Sequence, residues 1–196
     1  MMRRPSTASY LRISLLLLLG LLVLDYVWVK THPESERRRW TRPWGSVLGP
    51  KGCPDTPKHS SYGQADYDWT MQKLDGTEFS LGEFREKVVF VNVWATWCGP
   101  CRNEMPNIQA LYDTLGKEGV AFVLVSEEEA DEVRSFVEGG KYSFPVYTTE
   151  KVPPVFDTRG IPATFVVNRH GTVVLKRIGS ADWNANSCHT FLRALL

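Results

Sequence analysis

The sequence predicts an α/β protein, in which a central mixed β-sheet is flanked by helices and preceded by an N-terminal transmembrane anchor. Residues 88–139 run as apolar strand, helix, strand and helix, which is the order of a βαβ unit. Residues 162–179 contain two apolar runs separated by a turn at 168–171, which indicates an antiparallel hairpin. A basic head followed by an apolar run at 13–24 indicates a membrane-directed N-terminus.

Length, charge and cysteine count limit the classes of function. A chain of 196 residues can hold one domain and an appendage. The 23 Lys and Arg residues nearly balance the 22 Asp and Glu residues, so the basic excess typical of nucleic-acid-binding proteins is missing. Four cysteines are too few for a disulfide scaffold in a chain this long. We therefore expect one domain that does not bind nucleic acid.

Residues 1–30 are predicted to be a signal anchor. The apolar run at 13–24 is short for a membrane span, but its continuation to Val29 reaches the lower end of spanning lengths, with Tyr26 and Trp28 at the interface. No small-x-small cleavage site follows the run, which favours a retained anchor over a cleaved signal peptide. Basic residues lie on both sides of the span, so charge alone does not decide its orientation.

Residues 31–65 are predicted to be a tether, because they are rich in Pro, Ser, Gly and charge and show no sustained periodicity. The folded domain is then expected at residues 66–196. Its first strand, at 67–74, ends at an Asp75-Gly76 turn, and Ser80 with Glu83 is the pattern of a capped short helix.

The apolar run at 88–95 is nearly continuous, which favours a central parallel strand buried on both faces. The elements predicted after it are a helix at 99–116, a strand at 120–126, a helix at 127–139, hairpin strands at 162–168 and 172–179, and a terminal helix at 181–196.

Two cysteines follow this strand as Cys98-Gly99-Pro100-Cys101, and the residues after them can continue as a helix. Cys98 is thus expected at a helix N-terminus, where unpaired backbone N–H groups stabilise a thiolate and lower the pKa of the cysteine. Cys101 lies one turn further along and can attack a mixed disulfide formed on Cys98. This pattern predicts thiol-disulfide exchange.

A zinc site is the alternative for a C-x-x-C pair, since the pair supplies two of four ligands. The other candidate ligands lack a second close-spaced pair, so no metal is expected. They are His32, Cys53, His59, His170, Cys188 and His189.

The residues WCGPC at 97–101 resemble the thioredoxin superfamily, and so do Pro106 within the helix and IPAT at 161–164. The resemblance implies a thioredoxin-like fold with a cis bond before Pro162. It also implies that Trp97, Ile161 and Pro162 bind the substrate, with the backbone groups of Ile161 pairing with an extended segment. An ordinary trans proline is the alternative.

Within the superfamily, NVWATWCGPCRNEMP at 92–106 resembles the TlpA/ResA-like membrane-anchored thiol-disulfide oxidoreductases, over about residues 66–196. Asn92 replaces the buried Asp of ordinary thioredoxins and cannot accept a proton. Glu104 matches a Glu of the ResA-like motif, so the implied catalytic residues are Cys98, Cys101 and Glu104. The alternative is a Glu104 side chain that faces solvent.

The same resemblance implies a structural disulfide between Cys53 and Cys188. Such a bond would close a loop of 188 − 53 = 135 residues and attach the tether to the terminal helix. Two unpaired thiols remain the alternative, since sequence does not reveal the separation of the two Cα atoms.

The implied activity is that of a thiol-disulfide oxidoreductase without a cofactor. The expected role is reduction of disulfides in exported proteins, apocytochrome c among them, with electrons from a membrane donor protein. The chain is expected to cross the cytoplasmic membrane once, with its catalytic domain on the periplasmic side. Two alternatives stay open: a disulfide oxidant or isomerase, and a non-catalytic metal-binding or protein-docking module.

Overall fold

The computed structural model describes residues 52–53 and 61–196, which form a seven-stranded sheet with three α-helices. The predicted anchor at 1–30 and most of the predicted tether at 31–65 lie outside the described residues. Within the described ranges, no helix is long and apolar enough to cross a membrane. The sheet and the helices belong to the region predicted as the folded domain.

The sheet is mixed, as predicted. In chain order the elements are β1 (Thr70–Lys73), β2 (Glu78–Ser80), a 3-10 helix (Leu81–Phe84), β3 (Val89–Val93), α1 (Gly99–Leu115), β4 (Ala121–Ser126), α2 (Ala130–Gly140), β5 (Val146–Thr148), β6 (Ala163–Val167), β7 (Val173–Ile178) and α3 (Asn186–Arg193). The strand order in the sheet is β2-β1-β5-β4-β3-β6-β7, with β3, β4 and β5 parallel and the other neighbours antiparallel.

Two short strands and one helix start differ from the prediction. The strands β2 and β5 have three residues each, too few to show a periodicity in the sequence. The terminal helix begins at Asn186 instead of residue 181. Ala181 and Trp183, which precede it, are buried and donate hydrogen bonds to the core. Their tertiary contacts therefore replace the first turn of the expected helix.

The central strand β3 is buried on both faces of the sheet. Phe90 packs in the same cluster as the buried residues of all three helices, whereas Val89 and Val91 belong to a second cluster on the opposite face. That second face is covered by the 3-10 helix and by Phe156 from the loop between β5 and β6. Because strand residues alternate, Asn92 faces the helices together with Phe90.

Four loops meet at one edge of the sheet. Val93 at the end of β3 pairs with Val125 near the end of β4 and with Ala163 at the start of β6. Ala163 in turn pairs with Ile178, the last residue of β7. The loops that follow β3, β4 and β7, and the loop that precedes β6, therefore leave the sheet side by side. The cysteine pair lies at this edge.

Residues 62–65, which the sequence assigned to the tether, lie against β7. The backbone N–H of Tyr62 donates to Val173 O at 2.9 Å, and that of Val173 donates to Gly63 O at 2.9 Å. Ala65 N donates to Gly171 O at 2.8 Å. These bonds satisfy backbone groups of β7, the last strand on this side of the sheet.

Candidate redox site

Cys98 and Cys101 form a disulfide at the start of α1, with an S–S distance of 2.06 Å. Cys98 is the N-cap residue, and its Sγ accepts a hydrogen bond from the Cys101 backbone N–H at 3.2 Å. Pro100 lies in the first turn, where its missing N–H removes no helical bond. The Cys101 backbone N–H therefore points toward the Cys98 sulfur, and together with the helix dipole it would stabilise a thiolate after reduction.

The two cysteines differ in access. Cys98 keeps 3 % of its surface exposed and Cys101 none, whereas the preceding Trp97 is 73 % exposed. A partner thiol or disulfide must therefore meet Cys98 first. This burial was not predicted from the sequence, because it depends on the packing of the neighbouring loops.

The loop before β6 leaves the sheet at the same edge as the loop that carries the cysteine pair. Its Ile161–Pro162 peptide bond is cis. The Pro162 carbonyl accepts a hydrogen bond from Gly179 N at 2.8 Å, which joins this loop to the one after β7. Pro162 is buried and Ile161 is half-buried. Since Trp97, Ile161 and Pro162 lie at the same edge of the sheet, their role in substrate binding stays a prediction consistent with this placement.

Glu104 is buried, with 2 % of its surface exposed. It lies three residues after Cys101 on α1, so both side chains project from the same side of the helix. Its Oε1 accepts from Asn92 Nδ2 at 3.0 Å, and its Oε2 accepts from Ala181 N at 3.0 Å and Trp183 Nε1 at 2.9 Å. The solvent-facing alternative for Glu104 is therefore wrong.

Burial raises the pKa of Glu104 to about 7. The hydrogen bonds from Trp183, Ala181 and Asn92, and the charge of Arg177, oppose that shift because they favour the carboxylate. At neutral pH the side chain can therefore both take up and release a proton. A group with this property beside a pair of thiols can serve proton transfer during exchange.

Two of the groups that hold Glu104 were not found from the sequence. Ala181 and Trp183 lie 77 and 79 residues away along the chain, and the motif around the cysteines does not include them. The sequence predicts Trp183 inside the terminal helix at 181–196, whereas that helix begins only at Asn186. A buried carboxylate needs donors, but the sequence alone does not say where they come from.

Arg177 on β7 connects Trp183 to Gly52. Its guanidinium lies 5.9 Å from the centre of the Trp183 ring, and its Nη1 donates to Gly52 O at 3.0 Å. Burial lowers the pKa of Arg177 and the charge of Glu104 raises it. Arg177 therefore places a positive charge against both Trp183 and Gly52, the residue before Cys53.

Cys53 and Cys188 form a second disulfide, which closes a loop of 135 residues. Cys53 N also donates to Ser187 Oγ at 3.2 Å. Gly52 has a φ of +83°, and a Cβ there would lie 2.3 Å from Ser187 Oγ, so only glycine fits. Residues 52 and 53 are thus held against the first turn of α3.

Glu128 holds the loop that leads to Cys98. Its carboxylate accepts from Thr96 N at 2.7 Å, Thr96 Oγ1 at 2.6 Å and Ser126 Oγ at 2.8 Å. Glu128 lies in an acidic stretch at 127–129 without a distinguishing pattern, so this role is not evident from the sequence. Its contacts join the loop after β4 to the loop after β3.

The described part of the chain contains no group of three or more His, Cys, Asp or Glu side chains that could hold a metal ion. The chemistry available at this edge of the sheet is that of two cysteines and one buried carboxyl group.

Comparison with known proteins agrees with this chemistry. The AhpC/TSA family model matches residues 62–176, which is more than half of the chain. A thiol-disulfide oxidoreductase ResA from Halalkalibacterium halodurans is 32 % identical over 120 residues, covering 60 % of this chain and 68 % of the relative. The ResA of Geobacillus thermodenitrificans is 34 % identical over 109 residues, covering 54 % of this chain and 63 % of that protein.

Among solved structures, a thiol:disulfide interchange protein of the thioredoxin family from Chlorobium tepidum TLS superposes with a TM-score of 0.58. It is 25 % identical, and the match covers 69 % of this chain and 99 % of that chain. The fold, the cysteine pair at the start of α1 and these similarities agree with one another. The chain belongs to the AhpC/TSA family of thioredoxin-like proteins, among its thiol-disulfide oxidoreductases of the ResA type.

Proposed function

We propose that the chain reduces disulfides in exported proteins, with Cys98 as the nucleophile, Cys101 as the resolving thiol and Glu104 as the proton acceptor. The observation that carries this proposal is the burial of Glu104 one helical turn after Cys101, with a pKa raised to about 7. A carboxylate with this pKa can take the proton of a thiol and return it near neutral pH.

The reaction starts from the reduced pair. The Cys98 thiolate attacks one sulfur of the substrate disulfide, whose S–S bond breaks as a mixed disulfide forms, and the released thiolate takes a proton from solvent. Cys101 then passes its proton to Glu104 and attacks Cys98 Sγ. The Cys98–Cys101 bond forms, and the second substrate thiolate leaves and takes up a proton. Two electrons move from the protein to the substrate.

The oxidised pair must be reduced again by a dithiol. We assign this step to a membrane electron-donor protein, since the N-terminal segment has the composition of a membrane anchor. The proposed location is the cytoplasmic membrane, with the catalytic domain on the periplasmic side. The reducing direction is supported by the Gly-Pro dipeptide between the cysteines, shared with thioredoxin, whose potential is about −270 mV.

Equilibration of the full chain with glutathione buffers tests the direction. A potential near that of thioredoxin supports the reductase, and one more positive than about −150 mV would instead indicate an oxidant. Insulin reduction with a dithiol supply tests turnover. Cys101→Ser should abolish turnover and accumulate a mixed disulfide on Cys98, because the resolving thiol is missing.

Apocytochrome c is the proposed substrate, because it carries a C-x-x-C-H haem-attachment sequence that can form a disulfide. The test compares the reduction of an oxidised C-x-x-C-H peptide with that of a peptide in which the His is replaced. A higher kcat/KM for the C-x-x-C-H peptide supports this substrate. Equal values would indicate a general reductase of exported disulfides.

A further inference from the structure

Asn92 contributes the third hydrogen bond to Glu104 and carries one unpaired atom. Its side chain on β3 is fully buried. Its Nδ2 donates to Glu104 Oε1 at 3.0 Å and to Thr164 Oγ1 at 2.9 Å. Its Oδ1 has no hydrogen-bond partner among the residues that the structure describes. An amide that uses both hydrogens and not its oxygen is arranged to serve a carboxylate, not a carboxylic acid.

When Glu104 takes up a proton, the proton has one favourable position. Oε2 already accepts two N–H groups, from Ala181 and Trp183, so a proton there would leave at least one of these buried donors unpaired. A proton on Oε1 displaces neither of them. It does face the NH2 group of Asn92, however, so that two donors oppose each other.

A half-turn of the Asn92 amide removes this conflict. Its Oδ1 then accepts the O–H of Glu104, and the Thr164 hydroxyl changes from acceptor to donor toward the same oxygen. After the half-turn, Nδ2 occupies the position in which the structure has the unpaired Oδ1, so the number of unpaired buried atoms on Asn92 does not change. The two arrangements can therefore lie close in free energy.

We propose that Asn92 is a positioning residue whose amide reverses whenever Glu104 gains or loses a proton, with Nδ2 holding the carboxylate and Oδ1 holding the carboxylic acid. This inference rests on the proposed function, in which Glu104 accepts the proton of Cys101. In that step the S–H bond of Cys101 breaks and an O–H bond forms at Glu104 Oε1, with no change in oxidation state. Reversal of Asn92 keeps the transferred proton hydrogen-bonded.

The other ionisable groups around Glu104 do not interfere with a test in the oxidised protein. Cys98 and Cys101 are joined in the disulfide and do not titrate. Arg177 on β7 is the charged side chain that acts on Glu104, and a guanidinium stays charged throughout the accessible pH range. A transition of the Asn92 amide near pH 7 can then be assigned to Glu104.

The experiment is an NMR titration of the oxidised full chain, with ¹⁵N-labelled Asn and ¹³C-labelled Glu. We expect the side-chain NH2 signals of Asn92 to shift with the same midpoint as the Glu104 carboxyl carbon. The contact between these hydrogens and the Thr164 side chain should be lost on the acidic side. An Asn92 NH2 group that keeps this contact across the whole Glu104 titration would overturn the proposal.

Glu104→Gln is the matched control. The Gln oxygen must accept from Ala181 and Trp183, so its NH2 group faces Asn92 and requires the Asn92 oxygen as acceptor. We expect Asn92 in this variant to show the low-pH signals at every pH, and the high-pH signals would contradict the inference. If the reversal is observed but Glu104→Gln reduces insulin at the wild-type rate, the proton-acceptor role of Glu104 fails and the reversal of Asn92 stands.

Discussion

Trp183 Nε1 donates a 2.9 Å hydrogen bond to Glu104 Oε2, joining the first turns of α1 to the segment before α3 across 79 residues of chain. The contact explains why an indole is buried completely at this position, since its N–H has a charged or polar acceptor. It also explains how a carboxyl group is accommodated in the core beside the cysteine pair, because a buried carboxylate requires hydrogen-bond donors.

Replacing Trp183 by Phe should raise the pKa of Glu104 above its value of about 7, since one of three donors to the carboxylate is lost. The free energy of unfolding should fall by about 1–3 kcal/mol. NMR titration of Glu104 and urea unfolding measure the two effects. Trp69→Phe is the control, because it removes a bond from Nε1 to Thr149 Oγ1 in the cluster on the opposite face of the sheet. An equal pKa shift in both variants would contradict the assignment.

The stability of the oxidised protein should fall as pH rises from about 4.5 to about 7. The pKa of Glu104 is about 7 in the folded protein, against an ordinary value of 4.5, so in this window the folded state binds more protons than the unfolded chain. The stabilisation is complete below the lower pKa and lost above the higher one, with a size on the order of 3 kcal/mol. Glu104→Gln lacks this titration, so parallel wild-type and variant curves in urea unfolding would refute the prediction.

Arg177→Met should also raise the pKa of Glu104, because the positive charge that favours the carboxylate is removed. The shift of the Glu104 titration to higher pH should appear in the NMR titration and in the pH dependence of insulin reduction. Lys176→Met is the control, since Lys176 donates from its Nζ to Asp157 O in an exposed hydrogen bond and is not among the groups that shift the pKa of Glu104. A Glu104 titration unchanged by Arg177→Met would exclude the electrostatic role.

Removing the Cys53–Cys188 disulfide should destabilise the fold without removing the redox pair. For a loop of 135 residues the chain-entropy relation gives about 5 kcal/mol as the ideal loss, and measured losses are about 2–5 kcal/mol. Urea unfolding of Cys53→Ala/Cys188→Ala, with Cys98 and Cys101 oxidised in both proteins, measures this loss. A loss below about 1 kcal/mol would mean that other contacts already hold residues 52 and 53 against α3.

Glu128→Ala should slow insulin reduction by up to about 10²-fold, because the loop before Cys98 loses both bonds to Thr96 and the geometry of attack becomes less well defined. Glu129→Ala is the matched control, since Glu129 caps α2 without a side-chain hydrogen bond to the helix. Wild-type turnover in Glu128→Ala would show that the loop is held by other contacts.

The sequence alone predicted the mixed sheet, the βαβ order around the cysteines and the C-terminal hairpin, because these signals are local. An apolar run, a turn and a C-x-x-C pair are each contained in a few consecutive residues. It did not predict β5, whose three residues become a strand only because β1 and β4 supply neighbours on both sides.

The identity of the redox pair was therefore determined by consecutive residues, whereas the environment of Glu104 was decided by the tertiary structure. Asn92, Ala181 and Trp183 come from β3 and from the loop after β7, and only the folded sheet places them around one carboxyl group. The physical reason is that the pKa of a buried acid depends on desolvation and on donors brought from distant parts of the chain, which no short stretch of sequence encodes.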